Sequence, residues 1–532
     1  MSLLAVWRHG GVWAGGEGFG AADHLEYMAW VREAGEHGLV SNRFDVASDS
    51  GVFLQPMWLV SGLLWRAGAS VQVAFLLWKP VVVAVLGWGY VAYVRRTVAG
   101  AGRRAVALVL GLFFLAPLTA LVHAFGLGSD AMREWMGLFT YELAPAMYAW
   151  GYFPAALAAG LTPLFLLALE RGVAPRAAVG PGAGGSRRAL LGAAGAGLVV
   201  AWVHPWQGIV LGLLLAVAAL WVRRRDALLR LAVPALALAL PLAYYAILSR
   251  SDDDWELADA GSGQAHYWRW IALVAGPLVL AALAGWWSRR REVELDLQEV
   301  LLRAWPFAIV AVYAALDRAF FYNALEGLAL PLAILASRFA VGRGETGGEG
   351  LTPPQTRSPS GVLAATAGAS PPRGEGLTPG RGVVVGLVAL AVLPGAAYEL
   401  DKLHDASVDR GIAYRLRDGE AAALAAIGRS PRPGPVLTRF YLGNVVPAQT
   451  GRRTYVGHPI WSPDLVERQA LAEDLLAGRL APARARALVR ETHAAFVLSD
   501  CRRRADLRPV LGPTVERVRR FGCATVYEVA GS

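Results

Sequence analysis

The chain has 532 residues, 55% of them hydrophobic and only 17% charged, with 19 Trp and a formal charge of +10. A soluble protein of this length would expose too much apolar surface, which excludes an ordinary soluble globular class. The positive charge is almost all arginine, lysine occurring only at Lys79 and Lys402. Placed in short turns between apolar runs it reads as a membrane-orientation signal, and nucleic-acid binding is set aside.

In chain order, residues 1 to 20 hold neither a span nor a signal peptide, because Leu3 to Trp7 is too short and Arg8 and His9 follow at once. The alternation described below nevertheless requires residues 20 to 50 to lie outside the cytoplasm. Either the short tail is translocated by the following span, or a first transmembrane helix is missing from this sequence. Phe53 to Trp65 is apolar but, at about 13 residues, too short to cross a bilayer, and reads as an interfacial helix. Ten spans follow, at 70 to 94, 105 to 125, 149 to 169, 189 to 203, 206 to 222, 227 to 248, 268 to 288, 302 to 316, 324 to 340 and 383 to 400. The fourth and fifth form a hairpin turning at His204-Pro205-Trp206. The segment from Ala340 to Arg381 is rich in Gly, Pro, Ser and Thr and reads as a disordered linker.

The ends of these runs alternate. Arg95, Arg96, Arg103 and Arg104, then Arg171 to Arg188, Arg223 to Arg225, Arg289 to Arg291, and Arg338 with Arg343 mark cytoplasmic connections. The other connections carry Asp130, His204, Asp252 to Asp254, Asp317 and Arg318, so an active site is expected on the outer face. From Asp401 onward, strand-like runs at 435 to 438, 495 to 499 and 524 to 529 alternate with helical runs near 463 to 476, 481 to 493 and 513 to 520. The expected organisation is an extracytoplasmic first loop over 1–68, a transmembrane domain over 69–340, a cytoplasmic linker over 341–382, a last span over 383–400 and a small extracytoplasmic α/β domain over 401–532. Cys501 and Cys523 meet in a disulfide if the strands beside them are antiparallel neighbours, and otherwise stay two free thiols.

Several side chains could carry chemistry. Asp23, with Glu26 three residues on, has the spacing of a base and its neighbour on one helical face; the same spacing also describes a helix N-cap with a capping box. Lys79, about nine residues into a span, suits a phosphate site in a wet cavity, or snorkels to the interface. Arg318, near Tyr322, Asn323 and Glu326, is a second phosphate or sugar candidate, or a salt-bridge partner of Asp317 or Glu326. His204 at the hairpin tip is either a phosphate ligand or an interfacial polar residue. The acids Asp252 to Asp254 with Glu256 and Asp259 offer oxygen ligands but read as a solvated loop. His24, His204, His266 and His458 show no ligand spacing, so no zinc site is expected. No phosphate-binding glycine loop, serine nucleophile elbow or dinucleotide fingerprint occurs.

The string Ala22-Asp23-His24-Leu25-Glu26-Tyr27-Met28-Ala29-Trp30, then Gly38, then Phe53-Leu54-Gln55-Pro56-Met57-Trp58 resembles the first outer loop of GT-C fold glycosyltransferases, polytopic enzymes that use polyprenyl-phosphate sugars. Tyr455 to Pro459, Trp461 to Asp464 and Arg468 also resemble the tail of large bacterial membrane proteins assigned to that superfamily. The resemblance implies a GT-C-like fold of about 10–11 transmembrane helices. It implies transfer of a sugar from a polyprenyl-phosphate donor to an extracytoplasmic glycan, lipid or protein acceptor, by inversion, in the cell membrane. Such chemistry needs a carboxylate base, cationic groups for the departing phosphate and a cavity open to membrane and water. Asp23 is then the base beside Glu26; Lys79, Arg318 and His204 hold the donor phosphate; Tyr27, Asn323 and His458 contact acceptor or sugar. No cofactor is certain, a divalent cation is allowed, and membrane lipids are partners. The alternatives are a transporter or flippase of a lipid-linked envelope precursor, and a noncatalytic envelope scaffold.

Overall fold

Each apolar run of the sequence folds as helix, because a backbone in hydrocarbon must satisfy its own hydrogen bonds. The computed structural model describes residues 6–8, 10–16, 20–48, 51, 53–173, 184–223, 225–261, 266–289, 295–316, 320–339, 379–408, 415–503 and 505–530. Seven described helices are long and apolar enough to cross a bilayer: Val71–Thr97, Phe153–Val173, Pro205–Val222, Ala227–Ser251, Trp268–Ser288, Leu297–Ala315 and Gly382–Lys402. The protein is a multi-pass membrane protein. Leu229, Leu236, Leu280 and Trp287 project from these helices and stay about 70% exposed, as side chains facing lipid do.

Three of the ten expected spans differ from expectation. The second is broken into Ala101–Phe113 and Pro117–Ala124, bent by 49°, which would make an eighth span if the pair is counted as one. Pro117 cannot continue the preceding helix, and Ala116 is forced to a left-handed φ of 40°. The fourth, in Gly184–Val203, opens with Arg187 and Arg188, and its apolar remainder of about 15 residues is shorter than a hydrocarbon core. The ninth, Phe321–Ser337, starts as a 3-10 turn and is likewise short. The linker expected over 341–382 lies outside the described residues except where the Pro379–Val408 helix begins.

The two ends of the bundle differ chemically. At one, Arg96 contacts Glu170 at 2.5 Å and Asp296 at 2.6 Å, joining three helix ends. At the other, Trp202 Nε1 donates to the carbonyl of Leu54 at 3.0 Å and the Tyr244 hydroxyl accepts from the Leu54 N–H at 2.7 Å, so the Phe53–Pro56 region lies across the helix ends. Gln55 accepts from Met57 N–H and Pro56 opens the Pro56–Arg66 helix, the helix expected from the sequence.

The C-terminal region builds a four-stranded sheet in the order β3-β4-β6-β5, from β3 (Val436–Leu437), β4 (Phe496–Ser499), β5 (Val515–Phe521) and β6 (Ala524–Val529). β3 and β4 are parallel and the remaining pairs antiparallel. The run at 513 to 520, expected as helix, is strand β5. Gly522 at φ +57° turns the chain back from Phe521 to Ala524, and the hairpin overrides local helix preference. Antiparallel pairing of β4 with β6 brings Cys501 and Cys523 into a disulfide. Closing a loop 22 residues apart, it is expected to stabilise this region by roughly 3 kcal/mol. Nonreducing peptide mapping should recover the linked pair, and Cys501→Ser/Cys523→Ser should unfold at lower temperature; two free thiols would refute both.

The N-terminal region belongs to the same layer. β1 (Val12–Trp13) pairs antiparallel with β2 (Arg415–Leu416), and Gln449 Nε2 donates to the Ala14 carbonyl at 2.8 Å. Arg468 reaches Asp45 at 2.7 Å, and Thr454 N–H donates to the Arg43 carbonyl. Glu33 accepts from Ser41 N–H and Oγ and from Arg43, which orders the loop between.

Candidate functional site

The Ala21–His37 helix starts at Gly20 with no side-chain cap bond. Asp23 therefore sits in the first turn with its carboxylate 55% exposed and is not a cap, which removes the capping-box alternative. Glu26, one turn on, is buried, as is Tyr27.

His458 arrives from a loop 432 residues away. The N–H groups of Gly457 and His458 both donate to Ser462 Oγ, at 3.0 and 3.1 Å. This loop can descend because two glycines meet: a Cβ on Gly457 would lie 2.4 Å from the carbonyl carbon of Gly443. His458 Nε2 stands 3.1 Å from Glu26 Oε2 and 3.7 Å from Asp23 Oδ1. It is close to both carboxylates without the alignment of a formal hydrogen bond.

Competing effects act on this ring. Burial disfavours its charge, and the backbone N–H groups of Ile460 and Trp461 point at Nδ1, at 3.2 and 3.4 Å, opposing a second proton there. The Glu26 and Asp23 carboxylates favour it. Unit charges 4 Å apart interact by about 4 kcal/mol at an intermediate dielectric, against about 1 kcal/mol for a neutral hydrogen bond. The carboxylates win, and His458 is pushed up to about 9. Its pKa in an unfolded chain is about 6.5, so its contribution to stability is full below that value and is lost as pH rises toward about 9. Wild-type protein is expected to lose on the order of 3 kcal/mol across that window, measured by thermal unfolding, while His458→Gln shows a flat profile; parallel profiles would contradict the assignment.

Asp23, Glu26 and His458 offer ligand atoms within 4.8 Å of one another, a convergence that spacing in the sequence could not reveal. The histidine nonetheless does not fit as a metal ligand. With Nδ1 facing two N–H donors, Nε2 carries a proton in both the neutral and the charged ring, and has no lone pair to give. A hard divalent cation would have only the two carboxylates.

These residues open on a cavity of about 310 Å³, at the small end of the roughly 300–1,000 Å³ usual for small-molecule sites. Its walls are aromatic, including Trp58, Tyr152, Trp206, Tyr322 and Trp461. Tyr27 stacks on Trp58 with centroids 4.8 Å apart and faces Tyr152 at 6.3 Å. Flat apolar faces beside carboxylates suit a ring with a CH face and a hydroxyl rim. Asn323 lines the cavity and donates to the Tyr152 hydroxyl at 3.0 Å.

The structure thus brings Asp23, Glu26, Tyr27, Asn323 and His458 together. Lys79 is not among the lining residues: it is the ninth residue of the Val71–Thr97 span, as expected, just past a break at Leu77, and Nζ stands 4.7 Å over the Trp150 ring. Pro80 lacks the N–H that would bond back into the preceding turn, which accounts for the local break at Leu77 within the span. His204 is buried behind the wall, Nε2 at 2.6 Å from Glu326. Arg318 and Asp317 lie outside the described residues, and Phe320, two positions after Arg318, lines the cavity. Asp252 caps the Asp253–Gly261 helix by accepting from Trp255 N–H, and Asp254 accepts from Asn42 and Ser48. Sequence reasoning missed Glu142, Trp461 and Trp255 as lining groups; only Trp461 stood within a quoted motif.

Neither a protein-family model nor a curated protein sequence matches the chain. Its architecture does match solved structures. The oligosaccharyltransferase of Archaeoglobus fulgidus, tethered to an acceptor peptide containing an NVT sequon, superposes with a TM-score of 0.52 at 12% identity, over 94% of this chain and 68% of that one. The chain has a GT-C-type membrane fold. The same oligosaccharyltransferase, AglB, in complex with an inhibitory peptide and a dolichol-phosphate matches this GT-C-type chain at TM-score 0.50, 12% identity and the same coverage. ArnT from Cupriavidus metallidurans matches at TM-score 0.48 and 14% identity, over 94% of this chain and 92% of that one.

Proposed function

We propose that the chain is a membrane glycosyltransferase that moves a sugar from a polyprenyl-phosphate donor to an acceptor outside the cytoplasm, with inversion. The observation that carries the reading is an exposed carboxylate, Asp23, at the mouth of an aromatic cavity between the membrane helices and the C-terminal domain. Asp23 takes the proton of an acceptor nucleophile, which attacks the anomeric carbon; the bond from that carbon to phosphate breaks, and its electron pair leaves on the polyprenyl phosphate. His458, held by Glu26, screens Asp23 and fixes its position. Tyr27 and Asn323 border the sugar. Lys79, beside Trp150, and Arg318, two positions before Phe320 in the sequence, hold the departing phosphate. His204 is not assigned this task, since Glu326 already engages it.

Sidedness follows the same reading. The arginine-rich connections face the cytoplasm, and the disulfide suits an oxidising compartment, so residues 1–68 and 401–532 form one extracytoplasmic layer over the membrane domain. The relation of fold to AglB, solved with a dolichol-phosphate and a peptide, supports a lipid-linked donor and a separate acceptor. The test is mass spectrometry of polyprenyl-phosphate sugars in wild-type and deletion cells. Accumulation of one lipid-linked sugar in the deletion identifies the donor; equal pools favour a transporter or scaffold.

A further inference from the structure

The cavity contains an acidic group that the proposed chemistry leaves unused. Glu142, near the end of the Asp130–Leu143 helix, lines the cavity, is 4% exposed, and its Oε2 has no hydrogen-bond partner among the described residues. Its carboxyl neighbours that of Glu326, which is 1% exposed and whose two oxygens likewise have no hydrogen-bond partner among the described residues. On the far side of Glu326, Oε2 lies 2.6 Å from Nε2 of His204. His204 Nδ1 accepts the N–H of Gln207 at 3.4 Å, so the ring proton is on Nε2, the atom nearest Glu326, although the two lack the alignment of a formal hydrogen bond. Gln207 Nε2 donates to the Glu326 carbonyl at 2.6 Å. The Tyr148 hydroxyl donates to the Glu142 carbonyl and accepts from Gly327 N–H at 3.2 Å. The backbone on both sides of the carboxyl contact is therefore pinned.

Two buried carboxylates in contact, with no Lys or Arg ion pair to either among the described residues, cannot both be ionised. One proton stays with the pair. The His204 N–H stabilises negative charge on Glu326, which places the shared proton on Glu142, donated to Glu326. The second oxygen of Glu142 is then a neutral acceptor at the cavity wall.

We propose that Glu142 is a neutral carboxylic acid whose free oxygen accepts a hydrogen bond from a hydroxyl of a sugar in the cavity, with Glu326 and His204 as positioning residues. This rests on the reading of the cavity as a glycosyl-transfer site. The hydroxyl belongs to the donor sugar or to the acceptor glycan, and the chemistry of recognition is the same for both.

Two measurements test it, both on the full chain. Infrared spectra of purified protein at neutral pH should contain a protonated-carboxylic-acid carbonyl component that Glu142→Gln removes; a spectrum unchanged in Glu142→Gln overturns the proposal. In membranes supplied with the lipid-linked sugar that accumulates in deletion cells, Glu142→Gln keeps both polar contacts and should retain the rate within about threefold, whereas Glu142→Ala should lose on the order of thirtyfold, as expected for one lost buried hydrogen bond. A Glu142→Gln variant as impaired as Glu142→Ala would mean that a carboxylate is needed, and an unimpaired Glu142→Ala would mean no contact; each overturns the role. Raising the lipid-linked sugar restores Glu142→Ala when the hydroxyl is the donor's, and raising the acceptor does so when it is the acceptor's. Equal lipid-linked sugar pools in wild-type and deletion cells would sink the glycosyl-transfer reading itself, while normal wild-type turnover with an impaired Glu142→Gln sinks only the role of Glu142.

Discussion

Asp23→Asn should lower transfer by roughly 10²–10⁴-fold, the range lost when a positioned general base is removed. The amide keeps the shape of the carboxylate but cannot take a proton. Because Asp23 is 55% exposed and makes no cap bond, the variant should still fold, losing about 1 kcal/mol by thermal unfolding as one of the two carboxylates facing His458 is neutralised. Initial rates in membrane vesicles measure the first expectation. The lipid-linked donor should accumulate in Asp23→Asn cells as in the deletion. A variant that transfers within threefold of wild type would remove Asp23 from the mechanism and turn attention to Glu26.

Arg439→Met should be the most damaging single change in the C-terminal domain. Arg439 is buried, holds Asp500 at 2.5 Å and Glu473 at 2.9 Å, and Asp500 is fully buried. Removing one partner of such a pair leaves an uncompensated charge at a cost of about 3–5 kcal/mol. Asp500 retains the N–H groups of Arg502 and Arg503, which soften the loss without replacing the cation. Denaturation of the full chain should show an earlier transition, and Arg439→Met/Asp500→Leu should recover much of it, since the apolar pair leaves no fully buried charge and Glu473 is half-buried and reaches water. A single variant as stable as wild type would show that solvent reaches Asp500.

Hydropathy made the membrane domain legible because lipid imposes one rule on every backbone group, and the arginine turns marked the helix ends. What it could not carry was geometry inside a run. The break at Ala116 and Pro117, and the interruption at Leu77 just before Lys79, depend on single prolines within apolar stretches that read as continuous. Strand β5 was mistaken for helix because Val515 to Arg520 has no decisive period, and the deciding contact is its neighbour β6. In the site, Asp23, Glu26 and Tyr27 were visible as one helical face. The approach of His458 to Glu26 was not, since it depends on the Gly443 and Gly457 contact within a folded domain. Glu142 and Glu326 were invisible as a pair for the same reason: nothing in either local sequence announces the other.

The pairing of Val12 and Trp13 with Arg415 and Leu416 sets an order of events during synthesis. The helix that carries Asp23 and Glu26 emerges from the ribosome long before its partners exist. At about 5–20 residues per second, roughly 20–90 s separate the synthesis of Asp23 from that of His458. Until then the first loop has no sheet edge to join, and the buried carboxylate of Glu26 has no imidazole to face. A nascent chain halted ahead of residue 415 would thus be inserted in the membrane yet hold an unassembled cavity, which is completed only after the final segment has been delivered and docked.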